Sequence, residues 1–194
     1  MALPTERPGG TDESDIAAVL RALAFAADRH RDQRRKGAGA PPFINHAIEV
    51  AELLARVGGV DDPVTLQAAV LHDTLEDTDT SYDEIAAAFG DEVARTVLEV
   101  TDEKGLTRAE RKRRQIETAP SLSERARLIR LADKIVNVQS VGRTPPLDWD
   151  RSRRRDYLEW TGEVIARCRG CNEAMEILYD AELRAALERV GQIE

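Results

Sequence analysis

Apolar residues recur at helical spacing along most of this chain, and capping residues and helix breakers divide the pattern into segments. In the first segment, Ile16, Val19 and Leu23 follow the cap residue Ser14, which predicts a helix over 15–34. No alternating strand pattern competes, so we predict an all-α fold, a single bundle of about eight to ten helices. The same spacing predicts further helices over 44–57, 63–72, 82–89, 92–100, 108–117, 123–141, 149–168 and 173–190.

Composition narrows the class of protein without changing this picture. The 194 residues are 42% hydrophobic and 33% charged, as expected for a globular chain, and only 4% aromatic, which indicates an aliphatic core. We predict one domain over 14–194. The polar segment 1–13, rich in Pro and Gly, is predicted to be a disordered tail.

Net charge and hydropathy disfavour two kinds of partner. A net charge of −8 argues against a general nucleic-acid surface, because phosphate backbones are bound through Lys and Arg. No apolar run approaches the ~18 residues that a membrane span requires, and the N-terminus lacks the pattern of a secretory signal. We therefore expect a cytoplasmic protein without nucleic-acid or membrane partners. The oligomeric state stays open.

A histidine and an aspartate stand side by side at the end of the third predicted helix. His72 and Asp73 follow an apolar run, His46 lies in the first turn of the second helix, and Asp133 interrupts a core-facing pattern. Unpaired carboxylates in apolar stretches are costly, and a shared cation compensates both charges. Two imidazoles with two carboxylates suit Mn²⁺, Fe²⁺, Co²⁺ or Zn²⁺ better than Mg²⁺ or Ca²⁺. We predict a metal site made of these four residues.

Two further acidic residues follow the His-Asp pair. Glu76 and Asp77 come three and four positions after Asp73, on the same face if the helix continues through Thr74 and Leu75. They could instead be a capping or solvated acidic patch. Beside a hydrolytic metal, general acid and base catalysis or alignment of the attacking water is the better interpretation.

Basic residues cluster over 29–36, 108–114 and 151–155. Arg35 and Lys36 precede a glycine-containing loop close to His46, which favours a role in holding a phosphorylated ligand beside the metal. Charge runs are more often solvated helix faces, and we favour that interpretation for most of 108–114.

Cys168 and Cys171 form a lone CxxC motif. A structural zinc site needs two more ligands, and a thioredoxin-like motif needs a βαβ context that the helical pattern does not provide. We interpret the pair as two thiols at a helix junction.

Four segments together resemble the hydrolase domain of RelA/SpoT-type alarmone enzymes, an HD-type metallohydrolase family, and above all its small stand-alone members, the metazoan SpoT-homologue class. The resemblance extends from Ala22 to Trp160 and so covers most of the chain. The four segments are Arg34-Arg35-Lys36, Phe43-Ile44-Asn45-His46, Leu71-His72-Asp73-Thr74-Leu75-Glu76-Asp77-Thr78 and Leu131-Ala132-Asp133-Lys134-Ile135-Val136-Asn137.

This resemblance implies a helical, Mn²⁺-dependent 3′-pyrophosphohydrolase that converts guanosine tetraphosphate or pentaphosphate to GDP or GTP and pyrophosphate. The nucleotide is then the small-molecule partner. Residue by residue, it implies the metal ligands His46, His72, Asp73 and Asp133, the catalytic pair Glu76 and Asp77, and the substrate-binding residues Arg35, Lys36, Asn137 and Lys104.

Two alternatives stay open at this point. Small relatives of this type are also associated with removal of the 2′-phosphate of NADPH, so an HD phosphatase acting on that or another nucleotide is the first alternative. The second is a nucleotide-binding sensor without turnover, against which the intact pair of Glu76 and Asp77 argues. A helical nucleic-acid-binding module fits the acidic chain less well.

Overall fold

A computed structural model describes residues 14–37 and 39–192. The predicted tail over 1–13 lies outside these residues. Within them the chain forms helices, turns and one isolated bridge without any strand, which confirms the all-α prediction. The helices are α1 Asp15–Arg29, α2 Ile44–Arg56, α3 Pro63–Leu71, α4 Thr74–Asp77, α5 Tyr82–Phe89, α6 Asp91–Val100, α7 Arg108–Thr118, α8 Glu124–Arg143, α9 Arg151–Ala166 and α10 Glu173–Gly191, with a 3₁₀ turn at Ala119–Ser121.

Short polar side chains define where most of the helices begin. Such a side chain accepts a hydrogen bond from a backbone N–H of the first helical turn, which would otherwise lack a partner. At α5 and α7 a glutamate returns the bond and completes a capping box. The capping residues are Ser14, Asp62, Ser81, Thr107, Ser123, Asp150 and Asn172.

Helix α8 lies at the centre of the fold. It packs against α2, α3, α6, α9 and α10, and Ile129, Ile135 and Val138 along it are fully buried. Helix α3 is also largely enclosed, since α1, α2, α6 and α8 surround it. The helix that carries Asp133 and the helix that ends at His72 are therefore each held by at least four neighbouring helices.

Helix α1 ends five residues before the predicted boundary at 34, because the chain turns after His30. The His30 ring nitrogen Nδ1 lies 2.7 Å from Oε1 of Gln33, and Arg34 forms a bridge with Pro42. The basic segment that includes Arg35 is thus the start of a loop closed at its base.

The third helix ends at Leu71, one residue before the predicted boundary, and a separate turn of helix begins at Thr74. His72 Nδ1 lies 2.8 Å from the carbonyl oxygen of Ala69 at the break between the two helices. Asp73 is the N-cap of α4, and its carbonyl oxygen accepts a hydrogen bond from the Asp77 N–H at 2.9 Å. Asp73, Glu76 and Asp77 therefore share one helical turn, although α3 does not continue into it.

Within residues 14–37 and 39–192, none of the helices combines the length and apolar character that a membrane-spanning segment needs.

Burial of aliphatic side chains predicts where truncation will be costly. Leu54 of α2 is fully buried, whereas Leu98 of α6 is 53% exposed. Leu54→Ala should lower the free energy of unfolding by about 2–5 kcal/mol, because it removes buried apolar contacts and leaves a cavity. Leu98→Ala should change it by less than about 0.5 kcal/mol. Urea titrations followed by circular dichroism measure both, and equal losses would contradict the described core.

Candidate metal centre and catalytic cleft

Helices α2, α3 and α8 bring two imidazoles and two carboxylates together. His46 Nε2 lies 3.1 Å from Asp133 Oδ1 and 3.6 Å from Asp73 Oδ2. His72 Nε2 lies 3.1 Å from Asp73 Oδ2 and 3.8 Å from Asp133 Oδ1. One ligand atom each from His46, His72 and Asp133 falls within 4.8 Å of the others, and all three residues are buried. Three of the four predicted metal ligands therefore converge on one point, and the Asp73 carboxylate lies against both imidazoles.

The protonation of this cluster fits a cation site. Burial disfavours charge on the carboxylates, but Lys134 and His46 hold the pKa of Asp133 well below its usual value. His72 similarly outweighs burial and lowers the pKa of Asp73 to about 2. Two ionised carboxylates in a buried site require a compensating positive charge.

The two imidazoles differ in their protonation. Burial lowers the pKa of His46, which favours the neutral form that ligates metals. Burial also opposes protonation of His72, but Asp73 and Asp133 outweigh it and raise the pKa of His72 to about 9. A proton on His72 thus supplies charge that a divalent cation would replace.

The orientation of His72 supports the same conclusion. Its Nδ1 is engaged by the Ala69 carbonyl, and in the described part of the chain its buried Nε2 has no hydrogen-bond partner. A backbone carbonyl on one ring nitrogen fixes the tautomer that leaves the other nitrogen available to a metal. The residues present therefore fit a divalent metal ion.

Asp133 is held by its own helix. Asn137, one turn later, donates from Nδ2 to Asp133 Oδ1 at 2.6 Å, and Lys134 donates from Nζ to Oδ2 at 3.0 Å. The Lys134 ammonium also lies 4.7 Å from the ring centre of Trp160. These contacts orient the carboxylate toward the two histidines.

The acidic pair of α4 lines the same cavity as the four clustered residues. Burial raises the pKa of Glu76, and the charge of Asp102 adds to the effect. Burial likewise raises the pKa of Asp77, with a further contribution from Asp73. Carboxyl groups with raised pKa values are suited to exchange protons near neutral pH.

A cavity of about 590 Å³ opens over this cluster. Of the predicted substrate-binding residues, Arg35, Lys36 and Asn137 line it. Arg35 Nη2 lies 3.3 Å from Asn137 Oδ1 and 3.1 Å from Ser140 Oγ, so its guanidinium is fixed against α8. Lys104 does not line this cavity: it is exposed, and its ammonium lies 3.4 Å from the carbonyl oxygen of Thr78.

A smaller cavity of about 250 Å³ adjoins the first and shares Lys36, Asp102, Gln115, Trp149 and Tyr157 with it. Its wall is basic and aromatic, and it includes three residues of the cluster 108–114 for which the sequence favours a solvated face. Those residues are Arg108, Arg111 and Lys112. Their positions, with Gln115, follow the three- and four-residue spacing of one helix face, a signal that could have identified them.

The CxxC cysteines lie away from this cleft, between α9 and α10. Both thiols are free; Cys168 is buried and Cys171 partly buried. Burial, with Glu176 and Cys168, raises the pKa of Cys171 to about 11. A thiol with so high a pKa is a poor nucleophile near neutral pH, which supports the interpretation as two thiols at a helix junction.

The sequence pattern of a known protein family, the HD domain, matches residues 22–157. The chain belongs to the HD domain family. The matched residues include His46, His72, Asp73 and Asp133 and the acidic pair Glu76 and Asp77.

Related proteins align with this chain over most of its length and most of theirs. The guanosine-3′,5′-bis(diphosphate) 3′-pyrophosphohydrolase MESH1 of Xenopus tropicalis is 46% identical over 163 residues, covering 84% of this chain and 91% of that protein. The human MESH1 is 47% identical with the same coverage. A metazoan orthologue of SpoT that hydrolyses ppGpp has a solved structure that is similar with a TM-score of 0.85 and 39% identity, covering 93% of this chain and 97% of that one.

The clustered ligands predict metal-dependent stabilisation of this HD domain. Mn²⁺ at a hundredfold excess over its Kd should stabilise the folded protein by about 2.7 kcal/mol, since it binds only the folded state. Asp133→Asn should abolish this effect because the amide is neutral. Asp180→Asn is the control, because Asp180 pairs with Arg169 on the surface. Thermal unfolding with and without Mn²⁺ measures the effect, and a full shift in Asp133→Asn would refute the site.

Proposed function

We propose that this HD domain is a Mn²⁺-dependent guanosine-3′,5′-bis(diphosphate) 3′-pyrophosphohydrolase. In this reaction water cleaves the ester at the ribose 3′ oxygen of (p)ppGpp, which leaves the 3′ hydroxyl of GDP or GTP and releases pyrophosphate. The observation that carries the proposal is the polarity of the cleft. A cluster of buried carboxylates and imidazoles faces one end, and a basic, aromatic wall forms the other.

The basic end suits a second phosphorylated group on the substrate. Lys36, Arg108, Lys112 and Arg153 line the smaller cavity together with one carboxylate, that of Asp102. Arg111 also lies in this wall, but its guanidinium pairs with Glu76. Burial and the charge of Arg108 lower the pKa of Lys112, although Asp156 and Glu163 act in the opposite direction. A nucleotide with phosphates on both sides of its ribose places one at each end of the cleft.

Two donors at that end also lack partners. Trp149 Nε1 and Arg153 Nε are buried without a hydrogen-bond partner among the described residues, and the Arg153 guanidinium lies 4.8 Å from the Trp149 ring centre. Buried donors without partners are costly unless a ligand or water satisfies them. The Trp149 and Tyr157 rings line both cavities and offer surfaces on which a base stacks.

At the acidic end, different residues bind the metal, transfer protons and hold the nucleotide. His46, His72, Asp73 and Asp133 would hold the metal, which when bound supplies Lewis-acid activation of water and phosphate. Glu76 and Asp77, with their raised pKa values, accept the proton of the attacking water and return one to the leaving 3′ oxygen. Arg35 and Lys36 hold the phosphorylated nucleotide over this cluster.

The choice of Mn²⁺ rests on the resemblance to the alarmone hydrolases. Two imidazole nitrogens with two carboxylate oxygens suit Mn²⁺, Fe²⁺, Co²⁺ or Zn²⁺, whereas Mg²⁺ and Ca²⁺ prefer shells made of oxygen alone. A cytoplasmic location stays a prediction.

Removal of the 2′-phosphate of NADPH is the second candidate activity. The cleft offers the same cation cluster for a phosphate monoester, and the aromatic wall accepts the rest of a dinucleotide. The two candidates differ in the leaving group. The enzyme releases pyrophosphate from ppGpp but orthophosphate from NADPH.

A substrate panel tests the main proposal. With Mn²⁺ the protein should convert ppGpp to GDP and pyrophosphate with a kcat/KM at least tenfold above that for NADPH, an advantage of about 1.4 kcal/mol in transition-state binding. Chromatography of the nucleotides with a pyrophosphate assay measures this, and EDTA treatment followed by Mn²⁺ addition is the control. Orthophosphate from NADPH as the faster product would favour the second candidate. Binding without turnover would favour a sensor.

The acidic pair predicts a separation of catalysis from metal binding. Glu76→Gln and Asp77→Asn should each lower kcat by about 10²–10⁴-fold, because proton transfer is lost. Both variants should keep the thermal shift caused by Mn²⁺. Glu52→Gln is the matched control, since Glu52 pairs with Arg56 on the surface of α2. Near-normal kcat in both site variants would remove the pair from the mechanism.

A further inference from the structure

Both oxygens of the Glu76 carboxylate are held from outside its own helix. Oε1 accepts a hydrogen bond from Arg111 Nη1 at 3.0 Å, and Oε2 accepts one from the backbone N–H of Asp102 at 3.2 Å. Glu76 lies on α4, which is only four residues long and offers the side chain no support of its own. The direction of this carboxylate therefore depends on residues about 26 and 35 positions later in the chain.

Helix α7 makes two contacts at the cleft, one through Arg111 and one through Gln115. Gln115, one turn after Arg111, donates from Nε2 to both oxygens of Asp102 at 3.0 and 2.9 Å. Arg111 thus reaches Glu76 directly, and Gln115 restrains the loop that supplies the second donor. The two contacts share one helix face because they are four residues apart.

The attachment of α7 is largely polar. None of its residues, all of which lie in the described part of the chain, is fully buried. Its Lys112 carbonyl accepts a hydrogen bond from Trp160 Nε1 of α9 at 3.0 Å, and Ile116 packs beside Ala119 and Val164. These contacts do not involve Arg111, so α7 can keep its place when the Arg111 side chain is changed.

We propose that Arg111 is a positioning residue for Glu76, which it aims at the water and phosphate over the cation cluster. Each carboxylate oxygen carries two lone-pair positions, so both oxygens keep one for the substrate water after these bonds are made. Arg111 acts through Glu76 and is not itself in contact with the reacting atoms. This inference rests on the hydrolase function proposed above.

The positive charge of Arg111 serves a second purpose. Glu76 is surrounded by carboxylates, since Asp73, Asp77 and Asp102 all oppose its ionisation. A guanidinium 3.0 Å away favours the ionised form that can accept a proton, and its single bond from Nη1 fixes the position of Oε1. A lysine would retain the charge but not the reach and geometry of the guanidinium.

Steady-state kinetics on ppGpp with Mn²⁺ test the proposal. Arg111→Gln should lower kcat by about 10- to 100-fold, the cost of a misplaced catalytic group, with KM changed less than about threefold. Arg111→Lys should recover part of the loss. Arg113→Gln is the matched control on the same helix, because Arg113 is exposed and lies near only Glu117 in the ion pairs described. It should match the unmodified protein.

Three outcomes would overturn the inference. A rise in KM at unchanged kcat would make Arg111 a substrate-binding residue, and kinetics equal to those of Arg113→Gln would deny it any role. Failure of both Arg111 variants to fold would make the residue structural. In crystal structures of the unmodified protein and Arg111→Gln, the Glu76 carboxylate should change direction, whatever the substrate. Absence of ppGpp turnover in the unmodified protein would refute the proposed function and leave this structural comparison in force.

Discussion

The structure depends on one electrostatic constraint, the enclosure of two carboxylates beside two buried imidazoles where helices α2, α3 and α8 meet. Asp133 is buried and Asp73 is partly buried, and both are ionised, which is tolerable only because cationic groups converge on them. Protonated His72 and Lys134 supply that charge in the protein alone, and a metal ion would replace the proton of His72. Helices α3 and α8 each pack against several other helices, and this packing holds the cluster in place.

The remainder of the cleft is arranged by charge around that cluster. Acidic groups surround the cluster, and basic groups with aromatic rings line the adjoining cavity. Lys36 borders both cavities, and Arg35 beside it is tied to α8 through Asn137, which also holds Asp133. A phosphorylated ligand held by Arg35 is thus mechanically linked to the carboxylate at the cation site, through only one intervening side chain.

The catalytic pair is supported differently from the metal ligands. Glu76 and Asp77 stand on a short turn of helix at the edge of the core, and partners from later elements reach them. Packing fixes the metal ligands, whereas polar contacts across the cleft fix Glu76. Such polar support positions a carboxylate without enclosing it, so water and substrate retain access.

The sequence by itself determined the all-helical fold, most helix boundaries and the set of candidate ligands, because helical periodicity, caps and an adjacent His-Asp pair are local signals. It did not determine the end of α1 or the break after Leu71, where the chain turns at His30 and the His72 ring contacts the Ala69 carbonyl oxygen. Only the tertiary structure decided that His46, His72 and Asp133 converge, that Lys104 lies outside the cavity lining, and that Arg111 of α7 reaches Glu76. These outcomes arise from packing between elements distant in the chain, which no local spacing encodes.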